Sequence, residues 1–436
     1  MHTRHVLTLP LLLMTLGIDR VFADAGPPVA DATLSSTQVH GFLTAGAAIN
    51  DQAHVAELRD LGDNLGIPHR GDYWAPDSRL GIQWDQQLSH RLAATVQVVA
   101  AHQVAQTFNN SVQWAFLRYN WTSAWTLRLG RTGVDAFMLS DHRNVGYSYL
   151  WVRPPVEFYG YLPLYSEDGA DLQYEHQLGD GLLMVKVFGG TSRPFFYIKT
   201  APPPSYTQFL MSPIVGLNIV WKNPDWTLRA GGVSLKMHHD FSGMDTLLNA
   251  ASALAPYYPP FATAATVGSE DNTHITYWGT GANYDDGQWV VLSEFSSTLF
   301  QSQFKANTAE AYLTLGMHLE DWTPFINYSR VWETRTDYQV PLPPGALLQS
   351  YPAPLAQSVS ALTTGFNKGL FGLTESRQAT WSLGVRWDFA NNMDLKAQYD
   401  LVRVAPNAFD LWTNTPGFAP RQGNVSMLSL TFDTVF

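Results

Sequence analysis

The chain contains no cysteine. No disulfide can help it fold, and no lipid-anchored lipoprotein can be made from it. Charge is scarce too, at 14 % of residues, and the formal net charge of −11 argues against a nucleic-acid binder. After the first 25 residues no stretch approaches 18 consecutive apolar residues, which excludes transmembrane helices. No linker, low-complexity tract or compositional break divides the roughly 410 residues that follow. There is no HExxH, no Gly-x-Ser-x-Gly and no phosphate-binding glycine loop, so no catalytic, metal or cofactor chemistry is signalled. His238-His239-Asp240 is the densest histidine cluster, and it reads as an exposed polar loop.

What the chain does have is a leader, many aromatics and alternation. His2, Arg4 and His5 precede an apolar run from Val6 to Ile18, then Ala23-Asp24-Ala25. This is the pattern of a secretory signal peptide, too short to span a bilayer, with cleavage expected after Ala25 or alternatively after Ala23. Residues 26–436 then form one domain. Aromatics make up 13 % of the chain, including 15 Trp.

The alternation is clearest in Ala379–Phe389. Ala379, Trp381, Leu383, Val385, Trp387 and Phe389 share one face; Thr380, Ser382, Gly384, Arg386 and Asp388 share the other. Leu80, Ile82 and Trp84 alternate with Arg79, Gly81, Gln83 and Asp85 in the same way, and Trp125, Leu127 and Leu129 with Arg128. In Val112–Tyr119 the phase is set by Arg118: placing it inward turns Trp114 and Phe116 inward as well. The final stretch puts Leu428, Leu430, Phe432, Thr434 and Phe436 opposite Met427, Ser429, Thr431, Asp433 and Val435. Such strands number about sixteen, with fourteen or eighteen as alternatives, and their connections alternate between short turns and long loops. Trp84, Trp125, Trp221, Trp226, Trp289, Trp322, Trp387 and Phe389 all fall beside the short turns, as an interfacial girdle would.

With its apolar outer faces, sorted loop lengths and terminal Phe436, the chain resembles the bacterial outer-membrane porins. The run SDHRNVGYSYLWVRPPVEFYG is similar to porin-like proteins of Gram-negative bacteria. The resemblance implies an all-β, transmembrane antiparallel barrel with an inward-folded loop after strand five. It also implies that Phe436, Phe432 and Leu430 carry a signal for the barrel-insertion machinery, that lipopolysaccharide and outer-membrane lipid surround the barrel, and that a homotrimer is compatible. Gly41, Ala45, Gly46, Ala47 and Ala48 suit close packing in such a contact.

About a dozen residues, Gly26 to Gln38, lie between the leader and the first strand, too few for a plug, so the lumen is expected to be open or narrowed by a loop. The connection from Arg131 to Gly169 holds Tyr147, Tyr149, Trp151, Phe158, Tyr159 and Tyr161, suited to burial against a wall. Its charges Asp135, Asp141, His142, Arg143, Arg153 and Glu157 are expected beside the solute. Arg79, Arg91, Arg118 and Arg128 face them, with Lys186, Arg229, Arg386 and Lys396 further round; an acidic edge opposite a basic wall makes a transverse field. The competing reading is that each Arg neutralises a nearby carboxylate such as Asp85, Asp388 or Asp394.

The function expected from sequence is therefore a passive diffusion channel for small hydrophilic solutes or ions, located in the outer membrane. A channel for an aromatic or amphipathic solute is the alternative, and an outer-membrane enzyme or adhesin barrel a more distant one. Two apolar loops, 244–268 and 340–373, either pack on each other over the mouth or form a greasy vestibule.

Overall fold

A computed structural model describes residues 36–436 except 72, 106, 199–204, 239–244, 269–271, 304, 371–375, 407, 409–410 and 415–422. The leader, and His239 and Asp240, lie outside the described residues. Sixteen antiparallel strands close into one barrel, each paired with its sequence neighbours and the last with the first. In chain order they are β1 (Thr37–Asn50), β2 (Arg79–Gln87), β3 (Leu92–Ala101), β4 (Val112–Asn120), β5 (Trp125–Gly133) and β6 (Ser166–Leu178). Next come β7 (Gly181–Ser192), β8 (Leu210–Lys222), β9 (Trp226–His238), β10 (Asn272–Asp285) and β11 (Trp289–Phe300). The circuit ends with β12 (Asn307–Met317), β13 (Trp322–Arg335), β14 (Gln378–Ala390), β15 (Met393–Val404) and β16 (Gly423–Val435). The count of sixteen and the strict hairpin order agree with the alternation in the sequence.

The short turns are built by local polar chemistry. Asp286 accepts from the backbone N–H groups of Gln288 and Trp289 at 2.9 and 2.7 Å, and Asn223 from those of Asp225 and Trp226 at 3.1 and 2.8 Å. Each side chain thereby satisfies donors that a tight turn leaves over. Gly287, with φ of 82°, supplies the left-handed residue beside Asp286. At the seam Gly41 N–H donates to Phe436 O at 2.7 Å, and Phe436 N–H to Gly41 O at 2.9 Å. A Cβ at position 41 would collide with the Phe436 ring, so glycine is what lets the terminal aromatic lie across the first strand.

Burial is inverted relative to a soluble sandwich. Leu80, Ile82, Leu217, Leu313, Leu383 and Leu430 stand exposed on the outer face, while Asn218, Thr314, Asn327, Ser382 and Asp433 are buried inside. In water the outer belt would be an apolar patch far larger than soluble proteins carry; in hydrocarbon it is the matched surface. Below it the girdle rings pack across strands: Trp322 stacks on Trp387 at 4.9 Å, and Trp226 meets Tyr284 at 4.7 Å. Among the described residues, no helix is long and apolar enough to cross a membrane.

The two apolar loops pack on each other. Helices α1 (Asp245–Leu254) and α2 (Pro260–Gly268), between β9 and β10, meet α3 (Gly345–Ser350) and α4 (Ala353–Thr364), between β13 and β14. They share a small core of Ala251, Phe261, Ala264, Val359, Leu362 and Phe366. The Tyr258 hydroxyl donates to Pro341 O at 2.7 Å, and that of Tyr338 to Pro260 O at 3.0 Å.

Candidate functional site

The connection from Val134 to Tyr165 turns into the barrel and packs against its inner wall. Its local form comes from short-range bonds. Ser140 Oγ accepts from Phe137 N–H at 2.8 Å, a 3₁₀ turn runs through Gly146–Ser148, and Pro155 leads into one helical turn at Val156–Tyr159. Phe137, Trp151, Phe158 and Tyr159 are nearly fully buried and pack edge-on or tilted against Tyr277 of β10 and Tyr312 of β12. Polar tips find partners on the wall: Trp151 Nε1 donates to Thr314 Oγ1 at 2.9 Å, and the Tyr159 hydroxyl donates to Glu294. The loop and the facing wall thus share an aromatic core whose sequence signal was one proline-stiffened, ring-rich run.

Wall cations hold the loop backbone. Lys396 Nζ donates to Gly146 O at 2.6 Å, Arg386 to Tyr147 O at 2.8 Å, and Arg229 to Asp135 O at 2.8 Å. Lys186 Nζ reaches Asp135 Oδ2 at 2.7 Å. Burial alone would raise the Asp135 carboxyl, but Lys186 and Arg229 outweigh it and hold it down at about 2. A Cβ on Gly146 would overlap Asp433 and Thr44, so the loop lies there with bare backbone against the wall.

The loop's own charges mostly serve the same docking. Arg153, 3 % exposed, donates to Asp77 at 3.1 and 2.7 Å and to Ser429 Oγ at 2.7 Å, with Asp400 at 3.4 Å. These partners hold its guanidinium above the usual range, despite burial. Glu157 accepts from Ser329 at 2.6 Å, Gln378 at 2.8 Å and Thr380. Arg143 lies 4.2 Å over the Tyr165 ring and donates to Tyr159 O. His142 is driven down by burial, against a smaller upward pull from Asp141. Arg79 is buried and donates to Asp77 O. Arg91 sits exposed in the turn between β2 and β3, one residue short of the strand and apart from the loop.

No protein-family model matches the sequence, and no curated protein does. Among solved structures, OmpF of Salmonella typhi in complex with daunomycin aligns over 92 % of this chain and 98 % of its own, at 12 % identity and a TM-score of 0.50. An anion-selective porin from Comamonas acidovorans aligns over 92 % and 100 %, at 11 % identity and 0.49. The outer membrane channel DcaP of Acinetobacter baumannii aligns over 92 % and 97 %, at 11 % identity and 0.48. The chain has a porin-like fold.

In this porin-like barrel the inner wall stays partly accessible on the side away from the loop core. Trp114, Phe116 and Arg118 of β4, Arg128 of β5, and Gln83 and Asp85 of β2 are all part-exposed and inward-facing. Arg118 and Arg128 are direct cross-strand partners. Like charges in that relation repel, so both need acids close by. Arg128 Nε meets both oxygens of Asp171 at 2.9 Å, and its guanidinium lies 5.2 Å over Phe116. From the loop, Asp141 keeps a half-exposed side chain and comes within 3.9 Å of Lys186. Sequence placed Arg118, Arg128 and Asp141 here. It missed Asp77, Asp400 and Glu294, whose partners Arg153 and Tyr159 come from the inward loop, and Asp171, which pairs with Arg128 on the neighbouring strand.

A second acidic contact gives the docking a pH dependence. Glu57, in the loop after β1, shares the Gln378 amide with Glu157, each at 2.8 Å. Burial, then Glu157, raise the Glu57 carboxyl well above 4.5; Arg153 pulls it down and Asp400 adds to the rise. A raised carboxyl binds its proton in the docked state first, so this contact strengthens as pH falls through the raised value and weakens as pH climbs. Asp135 acts oppositely: its contribution is complete above 3.8 and is lost as pH falls towards about 2. Hydrogen exchange of residues 153–159 is expected to slow about tenfold from pH 8 to pH 5, after correction for intrinsic rates, and Glu57→Gln should flatten that change. A wild-type profile as flat as the variant's would remove Glu57 from the docking.

Proposed function

We propose that the protein is an outer-membrane porin of a Gram-negative cell, a passive diffusion channel for small hydrophilic solutes or ions rather than an enzyme. Residues 1–25 are its cleaved signal peptide, residues 26–436 its single barrel domain, and the barrel-insertion machinery reads the segment containing Leu430, Phe432 and Phe436. The observation that carries this reading is the docked loop beside inward-facing wall side chains that stay part-exposed. The inward loop covers part of the wall with rings and ion pairs, while Arg118 and Arg128 of the wall and Asp141 of the loop keep accessible side chains. Solutes crossing there meet both signs of charge within a few ångströms, which orients polar molecules.

Single-channel recording of the refolded protein in a salt gradient tests it. Arg128→Ala leaves Asp171 uncompensated and should make the channel more cation-selective; Asp141→Ala should make it less so. Each change is expected to move the cation-to-anion permeability ratio about twofold. A barrel with no conductance returns the protein to the enzyme or adhesin reading. Reversal potentials that ignore both substitutions place the path elsewhere.

Trp114 and Phe116 beside those arginines favour the second reading, a channel preferring aromatic or amphipathic solutes. A solute panel in the same bilayers separates the two. The homotrimer reading rests on an outer groove of about 470 Å³ at β4–β6, floored by Ala115, Gly130 and Gly169, and on the small outward side chains Ala45 and Ala47 of β1.

A further inference from the structure

The outer wall of β13–β16 carries a feature that conduction does not use. Arg330 of β13 and Arg403 of β15 both point outward and are exposed. The strand register puts them in one row, with Ala379 of β14 between: Arg330 pairs with Ala379, Ala379 with Arg403, and Arg403 with Asn424 of β16. Strands lie about 4.8 Å apart, so the two arginine backbones are roughly 10 Å apart over the smallest side chain in the row. That gap admits one tetrahedral anion gripped from both sides.

The rows below are graded. Next down are Tyr328 and Trp381, ring on ring at 4.7 Å, followed by Ile326, Leu383, Tyr399 and Leu428, all exposed, Leu383 at 65 %. Arg330 stands eight residues above the girdle residue Trp322, and Arg403 ten above Met393 at the short-turn end of β15. At about 3.4 Å per residue and a tilt of about 40°, both reach the top of an apolar band about 25 Å tall. The sequence of cation row, aromatic row and apolar rows matches a lipid lying along the wall: head-group anion, interface, acyl chain.

Neither arginine is spent within the chain. Among the described residues neither forms an ion pair, and Arg330 has only the Trp332 ring, at 5.6 Å. By contrast the outward Arg131 is fully engaged by Asp168, at 2.7 and 3.0 Å. Two unmatched cations side by side are poor ground for a second copy of this chain, whose outward acid Asp168 is already taken.

We propose that Arg330 and Arg403 form a docking site for the phosphate of an outer-leaflet lipid, with Ala379 as the floor of the cradle and Trp381 and Leu383 seating the chains below. The inference rests on the outer-membrane reading. It is tested with full-length protein in phosphatidylcholine bicelles doped with diphosphorylated lipid A, phosphate-free lipid A or phosphatidylglycerol, reading retained lipid by native mass spectrometry. Wild type should retain diphosphorylated lipid A at least tenfold over the phosphate-free form. Arg330→Gln with Arg403→Gln should lose that preference, Arg330→Lys with Arg403→Lys should keep part of it, and Lys236→Gln on β9 should keep all of it. Phosphatidylglycerol retained more strongly than lipid A, or equal loss in the Lys236 variant, would overturn the assignment. So would a double Gln variant that changes oligomeric state while keeping its lipid. If that variant does not fold, the wild type decides alone: its retention must fall steeply with added salt. Conductance of the folded double variant should match wild type, so failure here is distinct from failure of the porin reading.

Discussion

Arg153→Ala should cost the folded barrel roughly 3–5 kcal/mol, because it strips the counter-charge from a buried acid cluster. Asp77 and Asp400 touch the guanidinium directly, and Glu57 and Glu157 lie in the same enclosure. The cost is chiefly that of the acids left behind, not the intrinsic worth of the pair. Arg153→Met combined with Asp77→Leu should therefore be milder than Arg153→Ala alone. Urea unfolding in detergent, followed by heat-modifiable gel mobility, measures both. The same substitution frees the loop end at Pro154–Glu157, so single-channel current should become noisier and open to higher levels. Unchanged stability with unchanged current would mean that the loop is fixed by its aromatic core alone.

Trp151→Ala tests that core. The indole is 2 % exposed, meets Tyr312 edge-on at 5.5 Å, and its Nε1 donates to Thr314. Its loss removes one of the largest buried side chains of the loop and leaves a cavity that the rigid barrel wall cannot close. A cost of roughly 3–5 kcal/mol is expected, with Trp151→Phe recovering most of the packing but not the hydrogen bond. Because the wall strands remain paired, the damage should appear first in the loop. Proteolysis within residues 134–165 should accelerate before the strands unfold, a result checked by limited digestion and mass mapping. Simultaneous loss of loop protection and barrel mobility would show that loop and barrel fold as one unit.

The two expected losses act on different contacts in the same loop, one electrostatic and one apolar. Residues 151 and 153 are close enough to couple, so the double substitution should cost less than the sum of the singles. Once the loop is undocked by either change, the other contact is already broken.

The sequence by itself determined the barrel. Hydrocarbon admits a β-structure only if every backbone group pairs and the outer side chains are apolar, and both demands write a period of two into each strand. That is why Ala379–Phe389, Leu80–Asp85 and the final Leu428–Phe436 could be assigned a face, and why Arg118 could set the phase of a strand in which Trp114 and Phe116 pointed the wrong way. The aromatic, proline-stiffened loop was legible for a similar reason: rings in that number need a surface to cover.

Tertiary structure alone decided which charges meet. Arg128 beside Asp171 and Lys396 beside Asp433 are pairs across strands, and Arg153 beside Asp77 and Asp400 ties the inward loop to the wall; no local pattern specifies any of them. Alternation tells a residue only that it faces inward; barrel closure and register decide what it faces. The same holds outside, where Arg330 and Arg403 are 73 positions apart in the chain and become a pair because β14 places one alanine between them. Distance in space, not spacing in sequence, sets the strength of a Coulomb contact, and here the register fixes that distance.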